Sequence, residues 1–595
     1  MTDSRASRRA AAAEAPTAGW QTSGAGHPRR WAILAVLVTS LLVVVLDNTI
    51  LNIALPTIQR ELGADQSQLV WAVDSYILVF AALLFTWGVL GDKYGRKRIL
   101  VIGLSIFAVA SAACAFATTP EMLIGFRGLM GIGGAAVLPV TLAVITVVFP
   151  PHERGKAIGA WAGAVGAAVA LGPVLGGLLL EHPEWFNGLT GNDWGAVFLI
   201  NIPIVAIGLT GIVLVVPETK NPKPQALDIP GLVISFTGLV LLVYGIIHAS
   251  VTLTFLTPSV WIPILLGIAI LTLFVVMEAR SDHRSFDVTL FKNRGYAVSL
   301  TAVSLAFFAL SGITFTLPFF LQYLRGLTTL SAGLCFLPFA IGQIISAPRS
   351  AGMVAKFGYK RVMTFGLLAV TVALFGVANL SLDMPIWVVL VIFFVFGFGM
   401  GNVIAPASTV MQNALPLARA GAGSAVQNTV RQVFGALGVA VIGTVLATQY
   451  ASNIAPVVDK LPPSLPPEAV DAASNSVGGT LTVLGDLAAN GAPADLVQQG
   501  TASAFDAFLN AAHVTSLISM SLVLVAAIVV WFMLPPITPP QKDVHAAAPG
   551  GEKHDHPHIG EAHSREEADR EAVELEASYA SEAAEEYLAP GESRP

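Results

Sequence analysis

Gly88-Val89-Leu90-Gly91-Asp92-Lys93-Tyr94-Gly95-Arg96-Lys97-Arg98 forms a very tight turn between two apolar runs, near 69–90 and 99–117. Glycine lets a chain reverse without a Cβ clash. Asp92 is placed to cap the amide end of the following helix, and Arg96 and Lys97 suit the cytoplasmic edge of a membrane. A related segment, Lys356-Phe357-Gly358-Tyr359-Lys360-Arg361, begins 263 residues after Lys93 and keeps four of six residues. It also follows an apolar run. Two related halves, separated by a helical pair, would produce that spacing, and paired halves with a site between them are a transporter architecture.

Working outward, a membrane-spanning helix needs about 20 mainly apolar residues. Such runs lie near 31–56, 69–90, 99–117, 122–149, 158–180 and 194–216. Two more lie near 230–250 and 260–279. The last six lie near 296–321, 332–350, 362–382, 386–413, 423–447 and 514–534. The composition agrees: 54% of residues are hydrophobic and 12% charged, with a mean hydropathy of +0.71. Soluble domains carry about a quarter charged residues. The expectation is an all-α polytopic membrane protein of fourteen spans, in which two six-helix bundles are joined by two linking helices.

Lys and Arg set the orientation. With both termini in the cytoplasm, 27 of the 32 basic residues fall on that side. Three (Arg60, Arg325, Lys460) fall outside, and Arg127 and Arg431 lie within spans. The predicted organisation is a disordered tail over 1–30, a bundle over 31–216, a linking pair over 217–295, a second bundle over 296–534 and an acidic disordered tail over 535–595. Residues 448–512 form a long external loop, read as a spacer, with a helix near Leu496–Leu509 over an exit as the alternative. The net charge of −6 belongs to the C-terminal tail, since 541–595 alone carries −9. No basic region suggests nucleic-acid binding. Cys114 and Cys335, each in an apolar run, read as buried small residues, and His554, His556 and His558 as a flexible cluster that holds no metal.

Ionisable residues inside spans are costly and therefore functional candidates. Asp47 lies about 13 Å and Asp74 about 7 Å from the outer ends of their spans, at 1.5 Å per residue, with Arg127 about as deep as Asp74. Burial disfavours a charged carboxylate and a nearby arginine favours it. Those opposed effects suit a carboxylate that exchanges protons. The alternatives are a static Asp47–Arg127 pair that fixes packing, and an Asp74 that reaches external water. The second half has no acid deep in a span, only Arg431 and amides such as Gln343, Asn402, Gln427 and Asn428, which are candidates for substrate contact. In the fifth run, Pro173 kinks the helix, while Gly172 and Gly176 allow close approach of a neighbour. Gly131-Ile132-Gly133-Gly134 follows no strand and reads as close helix packing, not a dinucleotide loop.

These segments together resemble the major facilitator superfamily, specifically its fourteen-span drug:proton antiporters of the quaternary-ammonium-resistance type. Leu46-Asp47-Asn48-Thr49-Ile50-Leu51-Asn52-Ile53-Ala54-Leu55-Pro56 is similar to that group's first-span motif. Gly88 through Arg98 resembles the superfamily's signature loop, Arg127 through Ala136 the fourth-span motif, Gly159 through Gly177 the antiporter motif, and Ala420 through Gln432 the thirteenth span. The resemblance implies that Asp47 and Arg127 act in proton coupling; Asp74 is a candidate for it from its place inside a span. The resemblance also places Asp92, Arg96 and the loop's glycines and Lys97 in a conformational switch, and Gly172-Pro173 with Gly176-Gly177 in an export bend. Three departures stand out: Met130 for the usual glutamine, Ala168 for a glycine, and Gly195-Ala196 for Arg-Trp. The tenth span also lacks the acid some relatives carry, which implies poor handling of divalent cationic drugs.

The resulting expectation is a monomeric exporter in the cytoplasmic membrane that exchanges protons for amphipathic, often cationic, drugs. The alternatives are a dedicated exporter of an endogenous product, such as a self-made antibiotic, and a non-transporting sensor. No HExxH, Gly-x-Ser-x-Gly or phosphate-loop motif is present, so neither an enzyme nor a cofactor is expected.

Overall fold

The computed structural model describes residues 26–220, 228–252, 254, 256–280, 288–413, 420–462 and 465–536. Residues 1–25 and 537–595, most of the tails expected over 1–30 and 535–595 and with them the histidine cluster, lie outside these residues. Regular structure among the described residues is helical. Helix α1 spans Arg30–Leu62 and α2 Gln66–Tyr94. They meet at Gly63, whose φ of 62° is the left-handed conformation that glycine tolerates. Asp65 then caps α2 reciprocally with Gln68, at 2.7 and 2.9 Å.

The next elements are α3 (Arg96–Ala115), α4 (Pro120–Gly134), α5 (Val137–Val148), α6 (Pro151–Glu181) and α7 (Asn201–Val215), the last preceded by a short turn, Ala196–Leu199. Then follow α8 (Ile229–Thr252), α9 (Pro258–Arg280), α10 (Arg294–Phe319), α11 (Thr329–Leu334) and α12 (Leu337–Val377). The chain closes with α13 (Ile386–Asn413), α14 (Ala420–Val458), α15 (Pro467–Asn475), α16 (Val477–Ala489) and α17 (Ala494–Met533). By length and composition, twelve helices among the described residues can cross a membrane.

The repeat seen in the sequence has a backbone counterpart. Gly95 ends α2 with φ 117°, and Gly358 interrupts α12 with φ 81° and ψ 159°. The shared glycine of each basic turn therefore adopts a conformation that side chains resist. Two predicted runs, 332–350 and 362–382, lie on either side of the break at Gly358.

Glycine also sets the helix spacing. A Cβ on Gly133 would stand 2.5 Å from the Gly103 carbonyl oxygen and the Phe107 nitrogen, so α3 and α4 touch backbone to backbone. A Cβ on Gly131 would stand 2.6 Å from the Tyr76 carbonyl oxygen of α2. The glycines of 131–134 are thus packing surfaces. The α8–α9 pair uses the same device at Gly245 and Gly267. Thr444 Oγ1 donates to the Ile246 carbonyl at 3.1 Å, which ties α8 to α14. Most of α9 is left outside the core, with Trp261, Leu265, Leu266 and Leu273 exposed, as suits an apolar surface meeting lipid.

The segment 448–512 differs from the expected loop. Helix α14 continues to Val458, α15 and α16 follow, and α17 begins at Ala494. Residues 501–534 contain neither Gly nor Pro, and 502–512 are rich in alanine. Helix propensity therefore carries the last span well beyond its apolar part. Helices α15, from Pro467, and α16 thus occupy much of the segment read as a spacer.

Replacing Gly133 by Val should separate α3 from α4 and destabilise the protein by about 1–3 kcal/mol, the usual cost of overpacking. A lower thermal unfolding midpoint in detergent is the expected readout. An unchanged midpoint would remove backbone contact as the reason for this glycine.

Candidate functional site

Asp47, near the middle of α1, and Arg127, on α4, are both fully buried. Arg127 Nη1 donates to Asp47 Oδ2 at 2.5 Å. Arg127 Nε donates to the Ala72 carbonyl of α2 at 3.2 Å. Its guanidinium carbon also lies 4.4 Å from the centroid of the Tyr76 ring, whose π face attracts a cation. The arginine is thus held on one side by a carboxylate and on another by an aromatic face, and the second does not depend on the charge of Asp47.

The second carboxylate oxygen has a partner that a search for charges overlooks. Asn201, the first residue of α7, donates from Nδ2 to Asp47 Oδ1 at 2.9 Å and to Ser111 Oγ on α3 at 3.0 Å. Ser111 Oγ in turn donates to the Phe198 carbonyl at 2.9 Å. All three side chains are fully buried. The legible signal was one amide, Asn201, within the otherwise apolar run 194–216. Tyr76 and Ser111 carry no such signal, because aromatic and hydroxyl residues are common in spans.

Met130, one of the departures from the motif that the sequence resembles, is fully buried between two partners. Its Sδ lies 3.4 Å from Cys114 Sγ and 4.0 Å from Arg127 Nη1. A polarisable thioether replaces an amide there. This leaves Asp47 as the strong acceptor for Nη1.

Asp74 stands apart from this cluster. It is fully buried, and neither carboxylate oxygen has a hydrogen-bond partner. In this conformation Asp74 does not reach the surface. It lies one turn beyond Val70, whose side chain meets Gly443 of α14, so this stripe of α2 runs along the later half of the chain.

The glycine-rich turn forms a second cluster. Arg96 donates from Nε at 3.0 Å and from Nη2 at 2.8 Å to Asp92 Oδ1, and from Nη1 to the Ala143 carbonyl of α5 at 3.3 Å. The start of α3 is capped by a residue that the sequence reading did not name. Lys97 N–H donates to Glu218 Oε1 at 3.1 Å, and Lys97 Nζ donates to the Val213 carbonyl at 2.7 Å. A carboxylate suits that helix end. A Cβ on Gly95 would stand 2.5 Å from Glu218 Oε1, so glycine is needed for the carboxylate as well as for the turn. Gly91 approaches Val140 and Gly88 approaches Pro139, which seats α2 on α5.

Helix α6 carries two stripes of small residues, with Gly159 earlier on the same helix. Gly172 and Gly176 face α1, where added Cβ atoms would meet Thr49, Ile50 and Ile53. Pro173 and Gly177 face α11. A Cβ on Gly333 would collide with the Pro173 carbonyl, and one on Gly177 with the Thr329 carbonyl. Thr329 Oγ1 donates to the Gly177 carbonyl at 2.9 Å, and Thr328 Oγ1 to Glu181 Oε2 at 3.1 Å. Nearby, Gln322 Nε2 donates to the Ile53 carbonyl at 2.9 Å and Tyr323 OH to the Pro56 carbonyl at 2.8 Å. These bonds join the two parts of the chain at the end that carries Gly63. The antiporter-like segment is therefore a seam between halves as well as a bend.

The polar residues of the second half lie on α12, α13 and α14. Asn402 is fully buried beside Gly366 and donates to the Phe398 carbonyl of its own helix at 2.9 Å. Gln427 Nε2 donates to Ser408 Oγ at 3.0 Å. Arg431 lies 4.9 Å over the Phe307 ring, with Nε unpartnered. Gln343 and Asn428 are part-buried on α12 and α14. Among the described residues no group of three or more His, Cys, Asp or Glu is placed to hold a metal.

The sequence profile of the Major Facilitator Superfamily matches residues 37–439. The chain is 35% identical over 503 residues to the multidrug efflux pump LfrA of Mycolicibacterium smegmatis, covering 84% of this chain and 96% of that protein. It is 29% identical over 510 residues to the methyl viologen resistance protein SmvA of Salmonella typhimurium, covering 85% and 98%. Among solved structures it is similar to a bacterial homologue of the human lysosomal transporter Spinster, inward-facing and occupied. The TM-score is 0.61 at 15% identity, over 85% of this chain and 97% of that one.

The pair makes a stability prediction that is independent of any activity. Asp47→Ala leaves a buried guanidinium without its carboxylate and should destabilise the protein by about 3–5 kcal/mol. Removing both charges, as Asp47→Leu with Arg127→Met, should recover most of that loss. Thermal unfolding of the three proteins in detergent checks this, and a single mutant as stable as the double would contradict it.

Proposed function

We infer that this chain, which belongs to the Major Facilitator Superfamily, exports amphipathic, often cationic, small molecules in exchange for protons. It is a multi-pass membrane transporter and not an enzyme. The observation that carries the proton reading is the fully buried Asp47–Arg127 pair with Asn201 on its second oxygen. Burial favours the neutral form of such a carboxylate and the arginine favours the ionised one. Ionised, it pairs with Arg127; protonated, it leaves the guanidinium on the Tyr76 ring. Exchange follows because one carboxylate cannot hold a proton and answer a cation together. The names of LfrA and SmvA, an efflux pump and a resistance protein, support export as the direction.

The reading is of fourteen spans in two six-helix bundles, with both termini cytoplasmic and the Gly63 end outside. The bonds from Gln322, Tyr323, Thr328 and Thr329 to α1 and α6 then close the outer side. Asp92, Arg96 and Glu218 form the cytoplasmic cluster that must rearrange when the bundles rock. Asp74, on the stripe of α2 that runs along α14, is the second carboxylate available to a proton or a cationic substrate. The stretch 329–357 contains no Asp or Glu, so a dication such as methyl viologen should be a poorer substrate than monovalent ethidium.

The test is efflux of ethidium from preloaded cells, with and without a protonophore. Wild-type efflux should collapse with the protonophore and be lost in Asp47→Asn. Protonophore-sensitive efflux that survives in Asp47→Asn would move the proton site to Asp74. A wild type that moves neither ethidium nor methyl viologen would point to one narrow substrate. Arg96→Ala should lower turnover more than it lowers the amount of protein in the membrane, and normal efflux in that variant would remove Arg96 from the switch.

A further inference from the structure

We propose that Asn201 is a positioning residue for Asp47, and that its amide turns over when Asp47 takes a proton, passing the change to Ser111 and the Phe198 carbonyl. The proposal rests on the reading of Asp47 as a proton carrier. It starts from an accounting of donors and acceptors. Asn201 Nδ2 serves two acceptors, Asp47 Oδ1 at 2.9 Å and Ser111 Oγ at 3.0 Å. Asn201 Oδ1 is buried and has no partner. Both Nδ2 hydrogens are thus used while the amide oxygen is idle, which is unusual because buried polar atoms are nearly always paired.

The arrangement fits an ionised Asp47 and fails for a neutral one. A proton arriving on Oδ1 turns that atom from an acceptor into a donor. It would then face Nδ2, which is also a donor. Turning the amide by half a revolution about its last side-chain bond places Oδ1 there. That oxygen accepts from the Asp47 hydroxyl, and also from Ser111 once the hydroxyl of Ser111 swings away from the Phe198 carbonyl. Every step is a rotation of one terminal bond. The consequence is longer-ranged: Phe198 lies in the turn that enters α7, and its carbonyl loses its bond to α3. The proton state of Asp47 on α1 is thereby written into the contact between α3 and α7. Arg127 does not need to move, since Ala72 and Tyr76 hold it.

The charged or titratable groups around Asp47 are Arg127 on α4, Tyr76 on α2 and Cys114 on α3. Helix α5, α7 and residues 157–180 of α6 contain none. The effect of Asn201 on titration is therefore separable from theirs.

The test follows the carbonyl stretch of protonated Asp47 by infrared difference spectroscopy on the purified full chain, titrated from about pH 5 to 9, a window centred near neutrality. Asp47→Asn identifies the band. Asn201→Leu removes the donor that favours the ionised form, so the midpoint should rise by about one pH unit. Asn201→Ser, whose hydroxyl can give or accept a bond, should lie between the two and serves if the leucine variant does not fold. Unchanged midpoints in the folded variants, or a wild-type band that does not titrate in this window, would overturn the proposal. Substrate-driven proton movement in vesicles is measured separately. A chain that exchanges no protons while the midpoint still shifts would defeat the antiport reading and leave the positioning role standing.

Discussion

The fully buried Asp47–Arg127 pair is the constraint around which the first seven helices are arranged. Charges this far from water persist only if each is answered by the protein. Answering these two takes Ala72 and Tyr76 from α2, Asn201 from α7 and, behind it, Ser111 from α3. Those atoms come within bonding reach only because the backbones lie close, and the glycines at 103, 131 and 133 permit that. The packing and the electrostatics are therefore one design. A bulkier residue at a helix crossing would displace the donors from the carboxylate, and an unpaired carboxylate would undo the packing.

The two stripes of α6 extend this logic to the rest of the chain. Residues four apart share a helix face, so Gly172 with Gly176, and Pro173 with Gly177, form two adjacent faces. One lets α1 come close, and the other receives α11. Proline serves here because its lack of an N–H frees a neighbouring carbonyl, while its own carbonyl meets Gly333. The residues that read as an export motif are thus those through which the helix bearing Asp47 is connected to the opposite part of the chain.

Most of the helices were legible because apolar length is a coarse signal that survives local detail. The charged half of the site was equally legible, since an acid or arginine in an apolar run has few innocent explanations. Ser111 and Tyr76 were not, because a hydroxyl or a phenol fits a span without any function, and Asn201 showed only as a lone amide in its run. Glu218 was hidden differently: it follows the end of α7 and reads as part of a polar loop, and only the fold brings it to Lys97 and Gly95. The helices over 467–489 were missed because proline-rich flanks resemble a spacer. The extension of α17 matches the alternative reading of a helix near Leu496–Leu509, which ranked second because Ala-rich polar sequence is helical without being apolar.

The two kinds of contact differ in strength in a way that suits the proposed rocking motion. Between the parts of the chain, the bonds at the Gly63 end are neutral or singly charged hydrogen bonds, most of them to backbone carbonyls. Each contributes about 0.5–1.5 kcal/mol net in an ordinary setting, and water can replace it when the seam opens. Inside the first part, separating Asp47 from Arg127 would leave both without solvent, at about 3–5 kcal/mol. A movement that opens the seam and keeps the pair intact is therefore the cheaper one. Under the proposed proton exchange, the helices that answer the pair, α1, α2, α3, α4 and α7, would move together while Asp47 is ionised.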